Sequence, residues 1–249
     1  MSLIFSAIVP NNPKIFLENS QDNSSVTAIA NSIQELEGEL YFMKPDTILL
    51  LTEHGSVVPE AINVNIESPI LADGFKNGLT VDVGFITQLK NVINATAQSN
   101  LVTVVAESTI PQEIITPLSL LLKHLPETRV VIFSMANFSL VKHQEFGEIL
   151  RQLCLETNKR MAVIASGHLA KNSTKENALD TLCLNFLKNK ELEKILHINT
   201  EVIEKSKSDL MRPLATLIGT IAKMNLEPKI LSYEHLDNEN QLVANFTLK

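Results

Sequence analysis

The stretch of residues 44–55 decides the fold and reads Lys-Pro-Asp-Thr-Ile-Leu-Leu-Leu-Thr-Glu-His-Gly. Its centre, Thr47–Thr52, is a continuous apolar run of the kind that forms a strand buried on both faces of a parallel sheet. The Lys44-Pro45-Asp46 tripeptide before it ends a helical pattern, and polar residues follow it directly. The stretch therefore predicts the order of helix, buried strand and polar loop that α/β proteins repeat.

The same alternation extends through the rest of the chain. Further short runs rich in β-branched residues predict strands at Leu3–Val9, 101–106, Arg129–Ser134 and Met161–Ser166. Amphipathic or apolar stretches predict helices over 25–42, 81–97, 113–124, 140–157, 175–188 and 208–224. Two alternating segments joined by a polar turn predict a terminal hairpin of 229–235 and 241–248. We therefore predict an α/β fold, a three-layer sandwich around a mostly parallel, mixed central sheet, with residues 1–249 as a single domain.

Composition excludes several classes of protein. The 249 residues carry a net charge of −7 and are 45% apolar, which is typical of a folded globular chain. The basic residues are scattered, so we expect no nucleic-acid partner. No stretch reaches the roughly 18 apolar residues that cross a bilayer, and the N-terminus lacks a basic leader, so we expect no membrane partner and a cytoplasmic location. Cys154 and Cys183 are too few for a disulfide framework and are predicted to be packed thiols.

Candidate chemistry lies after the predicted strands, because sites in open α/β sheets collect at the carboxyl ends of strands. The polar segments at these ends are 10–13, 52–55, 107–109, 134–137 and 166–169. Two histidines, His54 and His168, follow strands directly, and such a pair near a carboxylate can bind a metal or move a proton. The alternative is that both are solvated loop histidines. No glycine-rich phosphate loop occurs, so we expect no nucleotide cofactor.

Five segments in this order resemble the class III extradiol ring-cleavage dioxygenases, the superfamily of the LigB-type catalytic subunits and the Memo-like proteins. They are Ala-Ile-Val-Pro-Asn-Asn-Pro at 7–13, Lys-Pro-Asp-Thr-Ile at 44–48 with Thr-Glu-His-Gly at 52–55, Thr-Pro-Leu at 116–118, Ala-Ser-Gly-His-Leu-Ala-Lys at 165–171, and Arg-Pro-Leu at 212–214 with Leu-Ser-Tyr-Glu at 231–234. The resemblance covers nearly the whole chain and implies a non-haem, metal-dependent oxidoreductase that opens aromatic rings.

The resemblance also implies a metal site. In active members, two histidines and a carboxylate hold iron and leave open positions for substrate and oxygen. The matching positions in this sequence carry Asn11, His54 and Asp209, with Asn11 in place of a histidine. A relocated site of His54, Asp209 and His168 is an alternative. The implied cofactor is Fe(II) or Zn(II).

The remaining positions of the resemblance concern proton transfer and leave two functions open. Gln112 and Lys171 stand where the family has histidines, and His168 stands where it usually has aspartate, so these three are the candidate catalytic residues. One function is a ring-opening dioxygenase acting on a small aromatic molecule, with His168 or Lys171 handling protons. The alternative is a Memo-like, non-catalytic pocket protein that binds a small ligand or a partner chain. Active members commonly self-associate, so a homodimer is compatible with either function.

Overall fold

The computed structural model describes residues 2–17, 24–56, 58–96, 100–171 and 177–248. Within these ranges, eight strands form one open sheet in the order β4-β3-β5-β2-β6-β1-β8-β7. The strands are β1 Leu3–Val9, β2 Thr47–Thr52, β3 Ile62–Asn65, β4 Val102–Val105, β5 Arg129–Ser134, β6 Met161–Ser166, β7 Leu226–Leu236 and β8 Glu239–Leu248. The helices are α1 Lys14–Leu17, α2 Ser24–Met43, α3 Val83–Asn94, α4 Gln112–Leu121, α5 Leu140–Glu156, α6 Ala178–Lys188, α7 Leu192–Ile195, α8 Thr200–Ser206 and α9 Met211–Ile221.

The centre of the sheet is parallel and its two sides are not. Strands β5, β2, β6 and β1 run in the same direction, and every residue of β2 is buried, as its apolar sequence predicts. Strand β8 pairs with β1 in the antiparallel sense, and β7 pairs with β8 to complete the terminal hairpin. The prediction of a mostly parallel, mixed sheet is therefore confirmed.

Helices cover both faces of this sheet. Helices α3, α5 and α9 pack together, and α9 contacts β1, β2 and β6. Helices α2 and α4 pack together, and α2 contacts β1, β7 and β8. The two groups complete the predicted three-layer sandwich, with one hydrophobic core cluster that includes β2, β5 and β6.

The sequence pattern did not predict that strands β3 and β4 run opposite to the central strands. Residues 54–80 are predicted as irregular, but strand β3 lies inside them and pairs antiparallel with β5. Strand β4 pairs parallel with β3, so its carboxyl end points away from those of the central strands. Residues 107–109 do not line the cavity described below, and neither do residues 134–137. A four-residue strand such as β3 is too short to show a clear alternating pattern.

Two helices begin later in the structure than the sequence predicts. The helix predicted over 208–224 begins at Met211, and the hydroxyl of Ser208 accepts a hydrogen bond from the Leu210 amide in the loop before it (3.3 Å). The helix predicted over 175–188 begins at Ala178, after its N-cap Asn177, and residues 175 and 176 lie outside the described residues. The short helices α7 and α8 are not predicted. Asp209 is consequently a loop residue.

Helices α5 and α9 cross with their backbones in contact. A Cβ atom on Gly147 would lie 2.1 Å from the Thr216 carbonyl oxygen, and one on Gly219 would lie 2.0 Å from the Gln144 carbonyl oxygen. Only glycine permits this approach. The crossing fixes the position of α9, the helix that follows the loop carrying Asp209.

Two expectations from composition can be compared with the structure. Cys154 and Cys183 are free, buried thiols, as predicted, and burial raises the pKa of Cys154 to about 12. Among the helices of the described residues, none is both long enough and apolar enough to span a membrane.

Candidate functional site

The candidate site is built at the carboxyl edge of the central strands. Asn11 lies two residues after β1, His54 two residues after β2, and His168 two residues after β6. Because β1, β6 and β2 are parallel neighbours, their carboxyl ends meet at one edge of the sheet. The loop before α9 adds Asp209 to the same edge.

Two glycines let the loops approach each other. Gly55 has a φ of +100°, and a Cβ atom there would lie 2.6 Å from the Ser134 hydroxyl, which donates a hydrogen bond to the His54 carbonyl (2.6 Å). A Cβ atom on Gly167 would lie 2.6 Å from Asp209 Oδ1. Both positions therefore require glycine, and together they bring His54 and Asp209 to the same place.

Asp209 is the centre of the polar cluster. Its Oδ2 lies 2.7 Å from His54 Nε2 and accepts a hydrogen bond of 2.7 Å from Asn11 Nδ2. Asn11 Nδ2 also lies 3.0 Å from His54 Nε2, so three polar atoms meet around one point. The other oxygen, Oδ1, accepts the backbone N–H of His168 at 2.5 Å and lies 2.9 Å from His168 Nδ1. The two histidines thus contact opposite oxygens of one carboxylate.

The cluster favours a charged Asp209 and protonated histidines. Burial alone raises the pKa of Asp209, but hydrogen bonds from His168 and His54 outweigh it and hold the pKa well below its ordinary value. Burial lowers the pKa of each imidazole, but the Asp209 carboxylate raises both above the ordinary value. The charge of Glu113 adds to the rise at His54. A carboxylate between two imidazoles can hold and share protons at neutral pH.

A second group of charges lies beside the first. Lys171 Nζ is 2.8 Å from Glu239 Oε1, and Asn12 Nδ2 donates to Glu239 Oε2 at 2.9 Å. This hydrogen bond to Glu239 raises the pKa of Lys171 above its ordinary value, so the ammonium stays protonated. Lys14 pairs with Asp237 at 2.6 Å. The tip of the β7–β8 hairpin thereby carries two ion pairs to the rim of the site.

Gln112 lies apart from the other predicted residues. Its side chain is exposed and its Nε2 donates to Asp73 Oδ2 at 3.4 Å. The next residue, Glu113, lines the cavity instead. Both residues belong to the first turn of α4, so one position along the helix separates the side chain that faces the cavity from the one that does not.

These residues enclose a cavity of about 310 Å³. It brings together five of the six predicted site residues, all except Gln112. The described lining residues are Asn11, Asn12, Pro13, Lys14, His54, Glu113, His168, Lys171, Asp209, Asp237 and Glu239. Within the described ranges, no group of three or more His, Cys, Asp or Glu side chains is placed to hold a metal ion.

Six of the eleven described lining residues are not among the predicted site residues, and three of these six are Asn12, Glu113 and Glu239. Asn12 and Glu113 are direct neighbours of predicted positions, and Glu239 lies in the polar segment 237–240 of the terminal hairpin. The polarity of that segment is visible in the sequence. Its approach to β1 and β6 is set by the strand order, in which β8 lies beside β1.

A partly buried ion pair between Arg212 and Glu53 lies beside the site. Arg212, in the first turn of α9, donates to Glu53 Oε2 and to Asn137 Oδ1, both at 2.8 Å. Burial raises the pKa of Glu53 to about 7, although the Arg212 charge opposes this rise. The pair joins the end of β2 to α9, which fixes the separation of His54 and Asp209.

Two comparisons with known proteins are informative. Protein CA_C1420 of Clostridium acetobutylicum is 22% identical over 259 aligned positions, which cover 94% of this chain and 55% of that protein. The chain therefore spans about half the length of this curated relative. The crystal structure of uncharacterized protein JW3007 from Escherichia coli K12 superposes with a TM-score of 0.69 at 14% identity, covering 98% of this chain and 100% of that one. That likeness shows the fold.

The family is shown by a match over nearly the whole chain. The model of the catalytic LigB subunit of aromatic ring-opening dioxygenase matches residues 6–244, from within β1 into β8. The match includes Asn11, His54, His168 and Asp209, the four residues of the polar cluster. This chain therefore belongs to the family of the catalytic LigB subunit of aromatic ring-opening dioxygenases.

Proposed function

We propose that this LigB-family chain binds a small ligand in its carboxyl-edge cavity and does not open aromatic rings. One observation carries the proposal. The two proton-transfer candidates that line the cavity, His168 and Lys171, are both bound to acceptor groups of the chain itself. His168 contacts the Asp209 carboxylate through Nδ1 and the Lys207 carbonyl oxygen through Nε2 at 3.1 Å. Both partners are acceptors, so both ring nitrogens donate when the two bonds are made.

Lys171 also has an acceptor of the chain as its partner. Its ammonium is paired with Glu239, which favours the protonated form, and a protonated amine cannot accept a proton from a substrate. Ring opening of a catechol needs a base for the substrate hydroxyl. Neither His168 nor Lys171 offers a free basic nitrogen to the cavity in this arrangement.

The donor atoms also fit poorly with the iron centre of active relatives. Dioxygenases of this family are generally metal-dependent, and a facial site of two histidines and one carboxylate is the usual arrangement for non-haem iron. Here His54 and Asp209 converge, but the third position presents the amide Nδ2 of Asn11, which is a hydrogen-bond donor. His168 contacts the opposite oxygen of Asp209. We therefore derive no catalytic step through a metal.

A small ligand agrees with the size of the cavity. Sites for small molecules commonly enclose about 300–1,000 Å³, and this cavity is about 310 Å³. It lies at the strand ends where α/β folds place their ligands. A partner chain over the same rim is the other form of this proposal, but the concave shape favours a molecule that enters it.

The competing function is a metal-dependent oxidoreductase of the extradiol type. One observation favours it: polar atoms of Asn11, His54 and Asp209 lie within 3.0 Å of one another. If the Asn11 amide were rotated, its oxygen would face the same point as the imidazole and carboxylate. These three side chains would then hold Fe(II) or Zn(II), and His168 or Lys171 would handle protons.

Metal loading separates the two functions. The protein and a His54→Ala variant would be loaded anaerobically with Fe(II) or Zn(II), desalted and measured by elemental analysis, and oxygen uptake would then be followed with catechol. We expect well below one metal ion per chain and no oxygen uptake in either protein. Near-stoichiometric metal that disappears in His54→Ala, together with catechol-dependent oxygen uptake, would overturn the proposal.

A second experiment tests whether the cavity binds a small ligand. A library of small polar metabolites would be screened by thermal unfolding, and hits repeated with His54→Ala and His124→Ala. The two variants are matched, since each histidine lies 2.7 Å from a carboxylate, His54 in the cavity and His124 at the opposite edge beside Glu37. We expect hits whose stabilisation is lost only in His54→Ala. Equal loss in both variants, or no hits, would contradict a ligand site here.

A further inference from the structure

We infer that this chain forms a two-fold symmetric homodimer through an apolar hollow at the amino edge of the sheet, with Phe42 of each copy seated in the hollow of the other. The inference goes beyond the proposed function, because this surface lies at the opposite edge from the carboxyl-edge cavity. Three features carry it: a gap between two strands, an exposed aromatic ring beside the gap, and charges of opposite sign around them.

The amino-edge hollow is a gap in the sheet between β1 and β8. Within the described residues these strands pair at only two positions, and the pair nearer the amino edge joins Ala7 to Asn245. Beyond that pair the ladder stops, and residues 3–6 of β1 and 246–248 of β8 line a cavity of about 390 Å³. Met43, the last residue of α2, also lines it. The opening of the sheet therefore leaves strand residues without a neighbouring strand to pack against.

The hollow is apolar, which distinguishes it from the carboxyl-edge cavity. Seven of its eleven described lining residues are apolar, whereas Pro13 is the single apolar residue among those described in the carboxyl-edge cavity. Removing apolar surface from water is the main driving force of most protein association. The hollow therefore favours an apolar occupant over a polar one.

Phe42 supplies such an occupant from the surface of a second copy. Its side chain is 86% exposed, the largest fraction among the large hydrophobic side chains of the described residues. It directly precedes Met43, so it projects from the edge that carries the hollow. Leu248, in the wall of the hollow, is itself 67% exposed. A small molecule in the hollow would leave Phe42 in water, whereas a second copy covers both the ring and the hollow.

Two-fold symmetry closes this arrangement at two chains. In an isologous dimer the same patch meets itself, so a side chain that enters a recess of the partner is matched by the reverse contact. The exposure of Phe42 shows that it does not fill the hollow of its own chain. Because the ring and the hollow lie side by side, one rotation seats both rings.

The charges beside the ring and the hollow are complementary. Glu39 lines the hollow and accepts a hydrogen bond of 3.0 Å from Asn245 Nδ2 through one of its two oxygens. Lys44 follows Phe42 by two residues, is exposed, and makes no ion pair within the part of the chain that the structure describes. When the partner's Phe42 enters the hollow, the partner's Lys44 comes to the rim on which Glu39 lies.

The mass of the full chain in solution tests the inference. Sedimentation equilibrium would be measured over a range of concentrations for the parent, Phe42→Asp and Leu155→Asp. Leu155 is the matched control, an exposed leucine of α5 on the other face of the sheet. We expect the parent and Leu155→Asp to dimerise alike, and Phe42→Asp to weaken the dimer at least about thirtyfold, the usual effect of losing a central aromatic anchor.

An exchange of charges tests how the two copies are seated. Glu39→Lys and Lys44→Glu should each weaken the dimer about threefold, because ion pairs at an exposed rim contribute little. The double variant should recover the affinity of the parent, since each exchanged side chain then meets its exchanged partner. A double variant that dimerises more weakly than either single variant would overturn this seating.

The other outcomes also decide the matter. A parent that stays monomeric at millimolar concentration would overturn the inference, and so would equal weakening by Phe42→Asp and Leu155→Asp. A monomer whose hollow binds the apolar dye ANS, with binding lost in Leu248→Asp, would assign the hollow to a small ligand instead. All the substituted hydrophobic side chains are exposed, so we expect the folds to be intact, and thermal unfolding verifies this.

Discussion

Two buried aspartates at opposite edges of the sheet are neutralised in different ways. Asp82, at the amino edge, is fully buried and receives both Lys159 Nζ (2.6 and 2.7 Å) and the Thr47 hydroxyl (2.6 Å). It also caps α3 by accepting the Phe85 amide at 3.1 Å. Asp209, at the carboxyl edge, is surrounded by two imidazoles, one amide and one backbone N–H.

The difference lies in the partners. Asp82 holds a lysine ammonium, a hydroxyl and a backbone N–H group in the first turn of a helix, so its contacts form a fixed structural link between elements. The histidines beside Asp209 are titratable groups whose pKa values the carboxylate raises, so the charge of that cluster can adapt to what enters the cavity. The buried carboxylate that is paired with a lysine and caps a helix supports the fold, and the one that lies between two imidazoles suits a site.

The largest expected effect separates the two aspartates directly. Asp82→Asn keeps a residue that can cap a helix but leaves the Lys159 charge without a partner, so we expect a loss of about 3 kcal/mol in the free energy of unfolding. This is the low end of the usual range for a buried pair, since Lys159 is partly exposed. Asp209→Asn should cost less, about 2 kcal/mol, because its histidines can release their protons once the carboxylate is gone. Denaturant titrations at pH 7 would measure both, and equal losses would contradict the distinction.

Two glycines that approach these carboxylates sharpen the comparison. A Cβ atom on Gly167 would lie 2.6 Å from Asp209 Oδ1, whereas one on Gly84 would lie at 3.5 Å from Asp82 Oδ1, an ordinary contact. We expect Gly167→Ala to lose about 2 kcal/mol of unfolding free energy by overpacking. Gly84→Ala, in the first turn of α3, should gain about 0.5 kcal/mol from helix propensity. Thermal unfolding of the two alanine variants compares them, and a stabilised Gly167→Ala protein would contradict the packing of this loop.

The third comparison concerns His143, a buried histidine that has no carboxylate as a hydrogen-bond partner. His143 is fully buried, its Nδ1 donates to the Ser139 carbonyl at 2.9 Å, and its Nε2 has no hydrogen-bond partner in the described part of the chain. Burial lowers its pKa from 6.5 to about 4. The unfolded chain therefore takes up a proton below pH 6.5 that the folded chain refuses until about pH 4, and stability falls as the pH falls.

Between pH 7 and pH 5.5 this difference amounts to about 1.2 kcal/mol of unfolding free energy. A His143→Leu variant should lose less stability between pH 7 and pH 5.5 than the parent does. His197→Leu, at an exposed histidine, is the control and should follow the parent. Denaturant titrations at both pH values test this, and identical acid sensitivity of the parent and His143→Leu would show that His143 is not responsible.

Much of the site could be predicted because it follows local sequence. His54 and His168 come directly after apolar strands, and the rule of strand ends places both at one edge. Gln112 and Glu113 could not be told apart in this way, since one helical position decides which faces the cavity. The place of Glu239 in the site also could not be predicted from the sequence. It belongs to a hairpin far along the chain, which lies beside β1 only in the assembled sheet.

The sequence by itself determined the alternating α/β order, the buried centre of the sheet and the polar loops at the strand ends. These depend on hydrophobic runs and turn residues, which act over a few neighbouring positions. Only the tertiary structure decided that β3 and β4 run against the centre, that Asp209 stands between two histidines, and that Glu113 lines the cavity while Gln112 does not. Those features depend on contacts between residues far apart in the chain, such as His54 and Asp209, and spacing along the sequence carries no record of such distances.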